Sequence, residues 1–299
     1  GGTVGAASAM VIARCTSATA ASAEASSAAC TKARGSPAAR RLARACVGGA
    51  MMFATSLALI AQEFAPHERG TALGLWGATT GRAGWLYSRR GYGQSDPIPD
   101  VRGEHRSAAP DRLWSGGRHG ADYMHVEAWR VLPRLLQALQ IERPVLVGHS
   151  DGATIALLHA ARHPVAGCVV MAPHLMVEDI ALTAIAQARE AYLASDEPQG
   201  LRQRLARHHA DVDNAFWQWN DVWLSEAFRG FDIRALCRDI AAPLLAVQGL
   251  QDEYGTLAQL DAVTQAVPHA QRLELPDCGH SPHRDQFDTL TAQVAAFVS

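Results

Sequence analysis

Residues 144–161 read P-V-L-V-G-H-S-D-G-A-T-I-A-L-L-H-A-A, and the fold turns on them. The apolar run Pro144–Val147 predicts a strand, and Ala153–Ala161 predicts a helix. G-H-S-D-G at 148–152 lies between them and reads as a sharp strand-to-helix turn with Ser150 at its tip. Small residues are needed at 148 and 152 because the serine backbone is strained and side chains there would meet neighbouring backbone. Such a turn lifts the hydroxyl off the sheet edge. It also aims the main-chain N–H of Asp151, at a helix N-terminus, toward any oxyanion that forms beside the serine. Ser150 is therefore read as a nucleophile.

A serine needs a base, and the base needs an orienting acid. Working outward, the strand-like run Pro243–Gln248 ends in G-L-Q-D-E-Y-G, which places Asp252 in a loop past a strand, with Glu253 as the main rival for the acid. The last strand-like run, Gln271–Leu275, is followed by P-D-C-G-H-S-P-H, which places His280 in the next loop. The order Ser150, Asp252, His280 gives nucleophile, acid and base.

With Y-S-R-R-G-Y-G-Q-S-D-P at 87–97 and D-C-G-H-S-P-H at 277–283 added, residues from about 80 to 299 resemble an α/β-hydrolase of the bacterial esterase, lactonase and C–C hydrolase group. The resemblance implies an α/β fold, a mostly parallel sheet flanked by helices with a helical cap inserted between strands. It carries the nucleophile, acid and base onto Ser150, Asp252 and His280, and the first oxyanion donor onto the N–H of Asp151. It implies cleavage of a small-molecule carboxylic ester without metal or cofactor. C–C bond hydrolysis and lactone opening are alternatives within the same machinery.

One part of that pattern is missing. An apolar strand ending in His-Gly, whose loop supplies the second oxyanion amide, is expected before residue 85, and the only histidine there is His67 in A-P-H-E-R-G. A hole between the W-L-Y-S strand and the P-V-L-V strand would leave backbone groups unpaired on both sides, so something must fill it. Two readings stand: Ser56–Ala61 (S-L-A-L-I-A) pairs as a surrogate strand, with the second amide from Gln62–Phe64, or 47–62 stays helical and the two strands meet directly. An inactive hydrolase-like domain carrying a membrane-associating remnant is the rival from another class.

The upstream segment has its own character. Residues 1–52 contain no aromatic residue and are rich in alanine, a composition that predicts poor order. Residues 1–83 carry eight basic and three acidic residues, a net +5 that leaves −7 on the remainder of a chain whose net charge is −2. Residues 47–81 resemble part of a transmembrane helix and following loop of a major-facilitator drug-efflux transporter, with a seam near Ala78–Gly81. The uncharged run Ala45–Gln62 is the one stretch through which membrane association is conceivable, though eighteen residues barely span the roughly 30 Å hydrocarbon core. The expected organisation is an atypical segment 1–83, a hydrolase core at 84–172 and 243–299, and a helical cap at 173–242.

At 48% hydrophobic and 19% charged, the composition is that of an ordinary globular enzyme, and a net charge of −2 gives no electrostatic case for nucleic acid. Six cysteines without C-x-x-C or metal-ligand spacing fit a reducing cytoplasm, with Cys168 as a core thiol. Strand signals fall at 84–88, 144–148, 167–172, 243–248 and 271–275. Helical signals fall at about 122–140, 151–162, 256–267 and 285–298, and in the cap at 178–195, 198–210, 212–221 and 223–237. The cap carries W-Q-W-N-D-V-W, and Trp217, Trp219 and Trp223 are read either as cap packing or as an aromatic wall of the substrate pocket. His149 is read as a packing and hydrogen-bonding residue at the turn and is kept as a candidate lining the substrate pocket. His208, His209, Asp211 and Asp213 read as a solvated face rather than a metal site, since adjacent histidines on a helix point about 100° apart. His283 and Asp285 read as caps for the last helix, and Arg89–Pro97 as a structural loop with turns at Gly91 and Gly93.

Overall fold

The computed structural model describes residues 9–14, 82–98, 119–194 and 199–298. Within them a six-stranded sheet runs in the order β2-β1-β3-β4-β5-β6. The strands are β1 (Ala9–Arg14), β2 (Arg82–Tyr87), β3 (Val145–His149), β4 (Gly167–Met171), β5 (Leu244–Gly249) and β6 (Gln271–Leu275). β3 to β6 are mutually parallel, with Val147 beside Val169 and Val247 beside Leu273.

The slot between β2 and β3 is filled, but not by 56–61, which lie outside the described residues. β1 fills it and is antiparallel to both neighbours, pairing Ala9 with Tyr87 on one side and with Gly148 on the other. The sequence A-M-V-I-A-R suits this role, because Val11 and Ile12 are β-branched and fit a pleated surface. Composition averaged over 1–52 hid this short run, which pairs within the sheet. The alternative that set β2 directly against β3 fails. Antiparallel pairing has a consequence at the site. The chain beside Gly148 is entering β1, whereas a parallel strand would be leaving the sheet there. The loop at 62–64 expected to give the second oxyanion amide lies outside the described residues, as do 45–62.

Helices cover both faces of the sheet. Along β4, Cys168 and Val170 join one core, and Val169 and Met171 join another with Leu290 and Val294 of the last helix. Alternate side chains point to opposite faces, so a strand covered on both sides reads as a continuous apolar run. After β2 come α1 (Tyr123–Val126), a π-helical turn (Glu127–Val131) and α2 (Leu132–Ala138). α3 (Asp151–Ala160) follows β3 and is buried along its whole length. The edge strand β6 is largely exposed and carries charge, with Arg272 ion-paired to Asp261 and Glu274, which discourages further strand addition.

Between β4 and β5 an insertion holds α4 (Asp179–Leu193), α5 (Leu201–Ala206), α6 (Val212–Trp223) and the short α7 (Arg234–Cys237). α6 begins at an Asp211 cap, whose carboxylate accepts the Asn214 N–H at 2.8 Å, and runs on through Trp223. The helix expected over 223–237 is broken. A 3-10 turn occupies Glu226–Phe228, and Asp232 bridges to Met176 beside Gly230, so the chain is extended where a helix would have continued. Downstream, α8 (Ala258–Ala266), α9 (Pro282–Asp285) and α10 (Phe287–Val298) complete the described chain. No helix among the described residues is long and apolar enough to cross a membrane.

Candidate active site

Ser150 sits where β3 becomes α3, at φ 55° and ψ −124°, in the left-handed region that costs a non-glycine residue of order 1–3 kcal/mol. The turn is held by the Ser150 N–H on the Met171 carbonyl at 2.9 Å and by the Ala153 N–H on the Ser150 carbonyl at 2.9 Å. A Cβ at Gly148 would lie 2.5 Å from the Gly152 carbonyl carbon and 2.6 Å from the Ala153 nitrogen. Glycine at 148 is therefore what lets the helix start so close to the strand.

Ser150, His280 and Asp252 converge although 130 and 28 residues separate His280 from its two partners. The Ser150 hydroxyl lies 2.9 Å from His280 Nε2, and His280 Nδ1 lies 2.9 and 3.0 Å from the two oxygens of Asp252. With its proton on Nδ1, facing the carboxylate, the imidazole presents Nε2 as acceptor to the serine. Asp252 is itself held by the Tyr254 N–H at 2.8 Å and the Gln248 amide at 2.6 Å. Glu253 has a different part: its carboxylate accepts the main-chain N–H of His280 at 3.2 Å and does not meet the ring. The two loops are clamped further by the Gln251 N–H on the Cys278 carbonyl at 2.9 Å and the Gly279 N–H on Asp285 at 3.1 Å.

His149 donates from Nε2 to the His280 carbonyl at 2.5 Å, and its ring lies 5.0 Å from that of His280 and 4.9 Å from that of His283. Burial, followed by the nearby His280 and His283, holds His149 well below the ordinary histidine range, so it serves as a neutral strut. His283 thus packs on His149 and Asp285 takes the Gly279 N–H; neither caps α10. His174, in the loop after β4, escaped the sequence reading. Its ring centroid is 5.8 Å from that of His280, and burial pushes it down to about 4.

Asp151 is buried and makes contacts that the motif did not suggest. Its carboxylate accepts from Arg89 at 3.1 Å and from the Tyr123 hydroxyl at 2.7 Å on one oxygen, and from the Trp223 indole at 3.3 Å on the other. Arg89 belongs to the 89–97 loop, in which Gly91 and Gly93 take φ of 82° and 60° as the turn reading required. A carboxylate predicted inside a helix packed on a sheet demands a buried cation, and that was the signal for Arg89. Of the three tryptophans, Trp223 reaches the serine turn. Trp217 packs on Tyr192 and Phe216, and Trp219 on Phe216. His209 is buried, not solvated, and accepts the Gly93 N–H at 2.9 Å, while Asp213 pairs with Arg202 at 2.7 Å. An open groove of about 480 Å³ adjoins the loop that carries Asp252, lined by Glu253 and Tyr254 and by Ile180, Ala184, Leu201 and Arg204 of the insertion.

A mostly parallel sheet wrapped in helices, with its polar site beyond the carboxyl ends of the parallel strands, is the architecture of an α/β-type hydrolase. Residues 74–293 match the alpha/beta hydrolase family, and the chain belongs to it. Similar solved structures include a bacterial membrane phospholipase A described as a virulence factor, 18% identical over 73% of this chain and 69% of that one, with a TM-score of 0.53. The enol-lactonase of Burkholderia xenovorans LB400 is 20% identical over 76% and 84%, with a TM-score of 0.50. A thermophilic esterase of Thermogutta terrifontis is 16% identical over 74% and 81%, with a TM-score of 0.49. At these identities the likeness concerns the fold. The resemblance of 47–81 to a transporter fragment is not borne out: the family match begins at residue 74, inside that stretch and ahead of the expected seam.

Proposed function

We propose that the protein is a serine hydrolase that cleaves small carboxylic esters through an acyl-enzyme on Ser150. The observation that carries the reading is the unbroken relay from Asp252 through His280 to Ser150, with both links at 2.9 Å, on a strained turn. Ser150 Oγ attacks the acyl carbonyl as its proton passes to His280 Nε2, and Asp252 stabilises the imidazolium that results. The oxyanion is met by the Asp151 N–H at the start of α3, where the helix dipole adds to the donor. His280 returns the proton to the leaving alcohol. Water, deprotonated by the same ring, then releases the acid. Three buried free thiols among the described residues, Cys168, Cys237 and Cys278, suit the cytoplasm.

The reading as a C–C hydrolase or lactonase acting on an acid would draw on a cation near Ser150. Arg89, the cation nearest in this network, already faces Asp151, which favours simple esters. An intact relay likewise favours activity over an inert domain. The test is turnover of p-nitrophenyl acetate and covalent labelling by a fluorophosphonate. Both are expected in the wild type and absent in Ser150→Ala. Undiminished turnover by that variant would refute the assignment.

A further inference from the structure

We propose that Trp223 is a positioning residue, through which the helical insertion fixes Asp151 and with it the oxyanion donor of the proposed ester hydrolysis. The inference rests on that proposed function and adds a residue to it. Trp223 ends α6 and is fully buried. Its indole N–H is shared between the Tyr123 hydroxyl at 3.1 Å and Asp151 at 3.3 Å. Tyr123 in turn donates to the other Asp151 oxygen at 2.7 Å, beside Arg89 at 3.1 Å. Asp151 is thus gripped on both oxygens by donors from three separate parts of the chain, and only Trp223 comes from the insertion.

A charged pair in the interior is costly. Removing both charges in favour of apolar packing is often neutral or stabilising, so a buried pair is weak evidence for a stabilising role. Arg89 and Asp151 have side chains only 2% exposed. Gripping the side chain of Asp151 restricts the first peptide of α3, which carries the N–H that must meet the oxyanion. The Trp223 ring also packs edge-on against His174, with centroids 4.9 Å apart, and the His174 ring centroid lies 5.8 Å from that of His280. One insertion side chain therefore touches the surroundings of both the oxyanion donor and the base.

The experiment compares Trp223→Phe, Tyr123→Phe and the double variant, using fluorophosphonate labelling rate, kcat and KM on p-nitrophenyl acetate, and thermal melting. Trp223→Phe keeps an aromatic ring and loses the N–H. A hydrogen bond to a charged group that matters in the transition state is worth about tenfold or more. The expected result is kcat and labelling rate lowered about tenfold, with KM within about twofold. The acid limb of the pH–rate profile stays in place, because His280 and Asp252 are untouched. The double variant is expected to lose no more than the worse single one, since both side chains act on one carboxylate. Wild-type labelling with Trp223→Phe keeping pace would overturn the inference alone, as would a loss that appears only in KM or only in the fraction folded. A wild type that takes no label on Ser150 would overturn the hydrolase reading, and this one with it.

Discussion

Replacing Gly249 by alanine should disable the protein by moving His280, a residue it does not touch in the relay. Gly249 ends β5, three residues before Asp252, and the Cys278–Gly279 backbone passes directly over it. A Cβ there would lie 2.7 Å from the Cys278 carbonyl carbon and closer still to the carbonyl oxygens of Cys278 and Gly279. Ordinary contact begins at 3.4 Å, and both partners are backbone, so the loop must recede by about 1 Å. His280 is the next residue and sits 2.9 Å from Ser150 on one side and 2.9 Å from Asp252 on the other. A displacement of that size in reacting groups typically costs about 10²-fold in rate. The stability cost of overpacking is about 1–3 kcal/mol, which in a protein of this size lowers Tm by about 2–4 °C per kcal/mol. The assay is kcat/KM on p-nitrophenyl acetate at a temperature well below the variant's Tm. Activity within threefold of wild type, with the variant folded, would show that the loop yields without carrying His280 along, and the reasoning would be wrong.

The division of labour between the two neighbouring acids is open to the same assay. Asp252→Asn should cost on the order of 10⁴-fold in kcat by favouring the wrong tautomer, whereas Glu253→Gln, which meets only the His280 main chain, should stay within about tenfold. Equal losses would mean that the two carboxylates share the role. Acid should destabilise the fold through its buried neutral histidines. Burial holds His159 and His174 down to about 4, against about 6.5 for the unfolded chain, so between these values the unfolded chain binds more protons. Their contribution is fully present above pH 6.5 and is lost as pH falls toward 4, by about 3 kcal/mol for each ring. Thermal melts at pH 7, 6 and 5 should show a falling Tm, and a flat Tm across that range would contradict the burial of these rings.

Much of the site was legible because its chemistry is local. A glycine flanking a nucleophile between an apolar strand and an apolar helix can be read from nine or ten letters. Asp252 and His280 could be proposed as acid and base because each follows a strand by a few residues in a mostly parallel sheet, whose loops gather at one edge. Spacing favoured Asp252 over its rival Glu253, although neighbouring letters carry the same charge, and the geometry separates their contacts. The turn direction at Gly249 and the Tyr254 N–H decide which carboxylate faces the ring. Arg89 was read as a loop residue because its partner, Asp151, lies 62 positions away. Helix breaks in the insertion were missed for a related reason: the Met176–Asp232 bridge that stops the helix joins segments far apart in sequence.

The sequence by itself determined the alternation of strands and helices, the strand-to-helix turn at Ser150, and the requirement that the slot between β2 and β3 be filled, because unpaired backbone in a sheet interior cannot be tolerated. Tertiary structure alone decided what fills it. Any short apolar run upstream could serve by composition, and the choice of Ala9–Arg14 over Ser56–Ala61 depends on register against two partners, one 68 to 78 residues away and the other 133 to 139. It also decided the strand's direction. Antiparallel pairing satisfies the same amides and carbonyls as parallel pairing would, yet it brings the entering end of β1, not its exit, beside Ser150. Backbone pairing is blind to which end of a strand carries a catalytic loop, and so a requirement the sequence imposes can be met in a way the sequence does not reveal.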